Sequence, residues 1–409
     1  MNNNELNYNE IQHTVLQDVS KLDMDLLQSQ LSHSQYERLV SRIKNPLLSE
    51  KSGISIDHVI GCPLACGYCV RHNFGAFDIK RPYLIESDEK VVARLLNHKY
   101  FLPNVTPIKI FSQATDAMVP SVKPHLFNTL KLLDENKLTN IVLIITRFKV
   151  SENDCAILNS FKNLRITLLI TYSGITDSRI EPIKSSIAIE SLKTAYNYSR
   201  NYKVILYWRP IIVGLNDSNK EIDFVLKNLS LSAHGIVFTG LRQTNEIKDF
   251  FVQRQAVNLY QGFVDRRKIF PDNLDHRILT RLKDTPAENK LYRKTSCGVS
   301  AVHRLPDYNG HFVAGEQICN ICNSRQRRRC ENEPKSIDIA ELHRVAKEIG
   351  IESLEIDNEL GNDFTYIPNL TIDERYFLRH LFKHPILDPQ FPHEYGQYGR
   401  ADKLRDYTI

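Results

Sequence analysis

The sequence predicts an α/β fold: a partial (β/α)6 TIM-like barrel with an N-terminal helical extension and a C-terminal cysteine-ligated auxiliary domain. Three observations carry that prediction. Between residues 54 and 242, short β-branched runs alternate with longer amphipathic stretches. Strands that are apolar throughout, each followed by a helix, pair in parallel with the helices packed outside. Before this region the chain reads as helical and polar; after it the text becomes charged and more helical. Seven of the eight cysteines fall into two groups, Cys62, Cys66, Cys69 and then Cys297, Cys319, Cys322, Cys330. The organisation expected is an extension over 1–50, the barrel over 51–245, and an auxiliary domain with its tail over 246–409.

In chain order, Leu26, Leu27, Leu31 and Leu39 recur at helical spacing inside the polar start. Candidate strands then cover 54–60, 107–111, 140–146, 165–172, 203–209 and 234–239, with helical stretches at 89–98, 124–135, 152–161, 186–199 and 220–229. Six such units fit a relative of the eightfold barrel, whose chemistry sits at the C-terminal mouth of the strands. The first strand is expected to run straight into the first cysteine group, which places that group at the mouth. Cys155, alone on a helical stretch, reads as a buried inert thiol. Trp208, the single tryptophan, reads as barrel wall.

The first group is Gly61-Cys62-Pro63-Leu64-Ala65-Cys66-Gly67-Tyr68-Cys69. Spacings of three residues and then two let three thiolates converge on one small inorganic core. A four-iron cluster normally takes a cysteine on each iron, so three ligands leave one iron open. Zinc is the alternative, but it needs a fourth ligand from elsewhere. The second group supplies four thiolates, including the pair Cys319 and Cys322 at CxxC spacing, which suits an auxiliary [4Fe-4S] cluster or a tetrahedral zinc ion. Between Cys322 and Cys330 lie Arg325, Arg327, Arg328 and Arg329, a short basic run that is either solvated or a grip for phosphate.

CxxxCxxC with an aromatic before its last cysteine resembles the radical S-adenosylmethionine (SAM) superfamily. The resemblance implies that Cys62, Cys66 and Cys69 hold a catalytic [4Fe-4S] cluster whose open iron chelates S-adenosyl-L-methionine. It implies reductive cleavage of SAM to a 5′-deoxyadenosyl radical that abstracts hydrogen from a substrate, with Tyr68 beside the adenine. The run Ser112-Gln113-Ala114-Thr115-Asp116-Ala117 is similar to a loop of the spore photoproduct lyase-like branch, with Ala117 in place of that branch's proline. On that likeness Ser112, Thr115 and Asp116 contact SAM. Thr171 and Ser173, before Gly174, correspond to the ribose-binding region, although they also suit a turn that satisfies its own backbone. The run Pro210-Ile211-Ile212-Val213-Gly214-Leu215-Asn216-Asp217 resembles the same branch, and Arg209 just before it would face a carboxylate or an anionic substrate. Gly240 and Arg242 close the sixth strand near the ligand. The resemblance spans residues 54–242 and also implies a reducing electron donor such as flavodoxin or ferredoxin.

The substrate expected is a nucleotide or nucleic acid, with peptide or natural-product modification as the rival. A non-catalytic, metal-stabilised binding module is the reading from another class. A hydrophobic share of 42%, a charged share of 25% and a net charge of +5 are those of an ordinary soluble protein and demand no particular partner. The polar, Asn-rich start shows no secretory signal and no apolar run is long enough to span a bilayer, so no membrane partner and a cytoplasmic setting are expected.

Overall fold

The structure is a computed structural model that describes residues 8–254, 268–269, 272–314, 321–334, 336–352, 354–356 and 365–388. It opens with the helix α1 (Tyr8–Gln12), the short strand β1 (Gln17–Asp18), and the helices α2 (Met24–Gln30) and α3 (His33–Lys44). Ser32 starts α3 through a reciprocal capping box with Gln35. The hairpin β2 (Leu47–Glu50) and β3 (Gly53–Ile56) follows, then the two-residue strands β4 (Val59–Ile60) and β5 (Tyr83–Leu84).

From there α4 (Asp88–Leu96), β6 (Ile108–Ile110), α5 (Lys123–Glu135), β7 (Ile141–Thr146), α6 (Glu152–Ser160) and β8 (Arg165–Tyr172) alternate. The rhythm continues through α7 (Ser185–Tyr198), β9 (Lys203–Ile211), α8 (Asn219–Lys227), β10 (Gly235–Arg242) and α9 (Asn245–Gln253). Strands β3, β6, β7, β8, β9 and β10 are parallel neighbours in that order, with β2 antiparallel on the β3 edge. The six expected βα units are all present.

Two layers flank the sheet because its side chains alternate. On one face Val142, Ile144, Leu168, Val204, Leu206 and Trp208 pack against the helices. Trp208 is fully buried there, as wall. The other face, with Leu143, Leu169, Ile205, Tyr207 and Val237, is covered by residues of the C-terminal part, Tyr292, Val299 and Tyr308. That part contributes β11 (Lys268–Ile269), α10 (Asp272–Leu282), β12 (Leu291–Tyr292) and α11 (Thr295–Val302). β11 pairs antiparallel and β12 parallel with β10. The small elements α12 (Ser324–Glu331), α13 (Ile339–Glu348), β13 (Thr365–Tyr366), α14 (Ile372–Phe382) and β14 (Ile386–Leu387) complete the chain.

Three expectations change. The first strand ends at Ile56, not at residue 60. Asp57 and His58 are buried polar residues that leave the sheet: His58 Nε2 bonds Asp88 Oδ1 at 2.7 Å, and β4 pairs with β5 in a separate sheet. The boundary at 50/51 falls inside the β2–β3 hairpin, so the extension is helical only as far as Lys44. The boundary at 245/246 separates β10 from β11 and β12, which pair with it, so the residues that close the open side of the barrel also extend its sheet. The tail from residue 389 to 409 lies outside the described residues.

α14 is latched to the barrel through His380, whose Nε2–H donates to the Lys51 carbonyl at 3.1 Å in the β2–β3 turn. Burial pushes the His380 imidazole down to about 4, the Lys51 contact notwithstanding. An unfolded histidine titrates near 6.5, so below that pH the unfolded chain binds the proton first and stability drains until about pH 4. We expect the His380→Gln variant to lose roughly 1 kcal/mol per pH unit of that acid sensitivity, measured as a shallower fall in denaturation free energy between pH 6 and 5. An unchanged slope would remove His380 from the account.

Candidate active site

The cysteine loop leaves β4 through Gly61, whose φ of 94° and closeness to the Arg81 carbonyl exclude a side chain: a Cβ there would lie 2.1 Å from that oxygen. Cys69 then precedes a 3₁₀ helix over Val70–Phe74. All three thiols line one cavity of 490 Å³ at the C-terminal ends of the parallel strands. Ser112, Thr115, Asp116, Thr171 and Arg209 line it too. Phe111, at the end of β6, holds φ at 55°, the left-handed region that costs a bulky residue about 1–2 kcal/mol. That turn sends Ser112–Asp116 into the cavity.

Two arginines, Arg71 fully buried and Arg147 partly so, frame the loop, and sequence reasoning missed both. Arg71 donates to the carbonyls of Leu64 at 2.9 Å and Ala76 at 3.0 Å, tying the loop's beginning to its exit. Burial opposes ionisation of Cys69, yet the charge of Arg71 and its hydrogen bonds hold that thiol below its ordinary value. Burial pushes the Cys62 and Cys66 thiols up. Arg147, just past β7, bonds the Tyr68 hydroxyl and lies 3.1 Å from Glu181 Oε2. Glu181 also bonds the Tyr68 hydroxyl and lies 3.9 Å from Cys66 Sγ. A strand-end position could have flagged Arg147; Glu181, in the loop after β8, carries no periodic signal.

The other expected residues divide. Thr115 and Thr171 each bury a hydroxyl with no hydrogen-bond partner among the described residues. Ser112 pairs with Ser55 at 3.0 Å. Asp116 accepts from Thr146 Oγ1 at 2.6 Å, Met118 N at 3.0 Å and Arg147 N at 2.9 Å, so it ties the loop after β6 to the end of β7. Ser173 sits behind the cavity wall with its hydroxyl 3.0 Å from Glu181 Oε2. Arg209 stacks 4.2 Å from the Tyr207 ring centre and donates to its hydroxyl at 3.3 Å. Gly240 and Arg242 line the cavity as expected.

The residues fit the implied groups. Three thiols flanked by Arg71 and Arg147 suit an anionic thiolate-held cluster, and the two unpartnered threonine hydroxyls beside them suit a polar ligand. Of the second group, Cys297 and Cys322 pack against the inner face of the sheet and Cys330 against Phe312, while Cys319 lies outside the described residues. The arginine run rides on α12, where Arg325, Arg327 and Arg328 are exposed and Arg329 bonds Gln326 at 3.0 Å; none of the four lines the cavity. Cys155 is fully buried on α6.

Because Arg71 is the tie across the loop, Arg71→Met is expected to cost about 3 kcal/mol of stability and to lower iron retention after reconstitution. Thermal melts and iron assays check this; wild-type values in both would refute the role.

No protein-family model matches the chain, and no curated protein matches it. Among solved structures the chain is similar to a spore photoproduct lyase, at 13% identity over 61% of this chain and 80% of that one, with a TM-score of 0.47. A spore photoproduct lyase complexed with dinucleoside spore photoproduct matches at 12% identity over 59% and 77%, TM-score 0.46. SuiB of Streptococcus suis bound to S-adenosylmethionine matches at 13% identity over 68% and 59%, TM-score 0.37.

Proposed function

We propose that this chain is a radical SAM enzyme acting on an anionic substrate, a nucleotide or nucleic acid. One observation carries the reading: the Cys62, Cys66 and Cys69 thiols open on the same cavity as the buried, unpartnered hydroxyls of Thr115 and Thr171. Cys62, Cys66 and Cys69 would hold a [4Fe-4S] cluster, with S-adenosyl-L-methionine against Tyr68, Ser112, Thr115, Asp116 and Thr171. Bound together, the two supply reductive cleavage of SAM and a 5′-deoxyadenosyl radical that takes a hydrogen from the substrate. The protein binds, orients and keeps water out. Arg71 and Arg147 offset the negative charge gathered on buried thiolates. Asp116 fixes the loop that presents Thr115, and Glu181 holds Tyr68 and Ser173 in place. A low-potential donor of the flavodoxin or ferredoxin kind completes the reaction, in a cytoplasmic setting.

The sign of the substrate comes from the cavity. Among the described residues eight lysines and arginines line it, two of them Arg71 and Arg147 beside the thiols, with two carboxylates, Glu50 and Asp116. Lys109 pairs with Glu50, and Arg209 and Arg242 lie at the ends of β9 and β10. Such an excess favours an anion and makes its binding salt-dependent. No helix among the described residues is long and apolar enough to cross a membrane.

Anaerobic reconstitution with iron and sulfide, followed by dithionite and SAM, is expected to yield 5′-deoxyadenosine. Cys66→Ala should yield none; turnover by that variant, or none by the wild type, would refute the reading. Thr171→Val should weaken SAM binding roughly 3–10-fold with iron content intact, measured by titration, because one hydrogen bond is lost. Binding of an oligonucleotide should fall steeply between 50 and 200 mM salt, about as expected for several phosphate contacts. No binding at low salt would turn the substrate reading to the peptide rival.

A further inference from the structure

The second cysteine group comes with a histidine that its spacing does not reveal. His311 lies on the short helix over His311–Ala314, fully buried, and lines the main cavity. Its Nδ1 is 3.0 Å from Asp307 Oδ2 and 3.1 Å from Ser296 Oγ. Asp307 is itself fixed, since the His311 backbone N–H donates to the same oxygen at 2.7 Å. A carboxylate on one ring nitrogen sets the tautomer and turns the lone pair of the other nitrogen outward, the arrangement found behind metal-ligating histidines. Cys297, one residue from Ser296, completes the cluster: ligand atoms of Cys297, Asp307 and His311 all lie within 4.8 Å of one another.

We infer that Cys297 and His311 ligate a single zinc ion, with Asp307 orienting His311. The spacing favours one ion. A zinc-bound sulfur and nitrogen, at about 2.3 and 2.1 Å from the metal, cannot be farther apart than about 4.4 Å, so little movement is needed. In a four-iron cluster each iron takes its own protein ligand, and two ligands this close serve it poorly. Cys297 follows Thr295 and Ser296, which line the cavity, so the ion stands in the wall of the main site. Its role there is to hold α11 and the short 311–314 helix together where the sheet's inner face is closed. Neither SAM nor the first cluster enters this inference, and it does not rest on the proposed reaction.

The test uses the full chain with Cys62, Cys66 and Cys69 all changed to Ala and His125 changed to Gln, so that neither the first cysteine loop nor the His58–Asp88–His125 cluster competes for metal. Stripped protein is titrated anaerobically with Zn²⁺ against a chromophoric chelator, and with Co²⁺ for its absorption spectrum. One Zn²⁺ per chain is expected. His311→Ala should weaken binding at least tenfold, and Asp307→Asn by roughly 10–100-fold. His311→Cys should keep the metal and shift the Co²⁺ spectrum toward more thiolate; this variant decides the matter if His311→Ala does not fold. Unchanged Zn²⁺ affinity in His311→Ala, an unchanged Co²⁺ spectrum in His311→Cys, no Zn²⁺ binding, or four irons with sulfide in this background would each overturn the site. Failure of SAM cleavage in the wild type would leave all of these readings untouched.

Discussion

Three thiols gathered where water is scarce, and where burial opposes ionising each of them, are the constraint the rest of this structure answers. Three thiols sit on one short loop, buried or nearly so, and an isolated buried anion costs several kcal/mol. Two arginines meet that cost from separate elements. Arg71 comes from the helix that follows the loop and also bonds the loop's own carbonyls. Arg147 comes from the end of β7 and is shared with Tyr68 and Glu181. Arg71 is itself a buried charge and Arg147 a partly buried one, and each needs a partner, so loop and arginines support one another. The backbone strain at Phe111 and the glycine at 61 belong to the same solution, because both bend the chain where the loop must close.

Six strands do not close a barrel. An eight-stranded barrel fills its interior with its own side chains, whereas here the inner face of β7–β10 would meet water. The chain covers it with Tyr292, Val299 and Tyr308. Gly298 lets α11 approach closely, since a Cβ there would lie 2.5 Å from Val237 Cγ2. The cavity exists because this cover stops short of the strand ends.

The alternation of elements was legible because it is driven by local burial: helix starts at 88, 123, 152, 185 and 219 stand within one residue of those read from the text. Each of these patterns repeats along the chain, so a short window suffices to see it. The break at Asp57–His58 was not legible. Its cause is Asp88, thirty residues away, which also takes His125 at 2.9 Å. The cysteine loop could be read from its spacing, whereas Thr115 and Thr171 are singled out through the resemblance of the runs around them. Glu181 and His311 could not be read either way, since their chemistry is set by contacts across the fold. The arginine run left two readings open, because local density of charge says nothing about which way a helix faces; α12 turns most of it to solvent.

The C-terminal part therefore cannot be an independent module appended to a finished barrel. Its strands extend the sheet, α11 seals the inner face, and its latch at His380 holds the turn carrying Lys51 and Ser52, which line the cavity. A group that ties Cys297 to His311 acts on that seal directly, because both residues flank the same wall. Loosening it would widen the main cavity and admit water to the buried thiols without touching any residue of the first loop. Coupling of this kind needs no conformational relay. It follows from one wall serving two sites, so damage at the second should appear first as solvent access at the first.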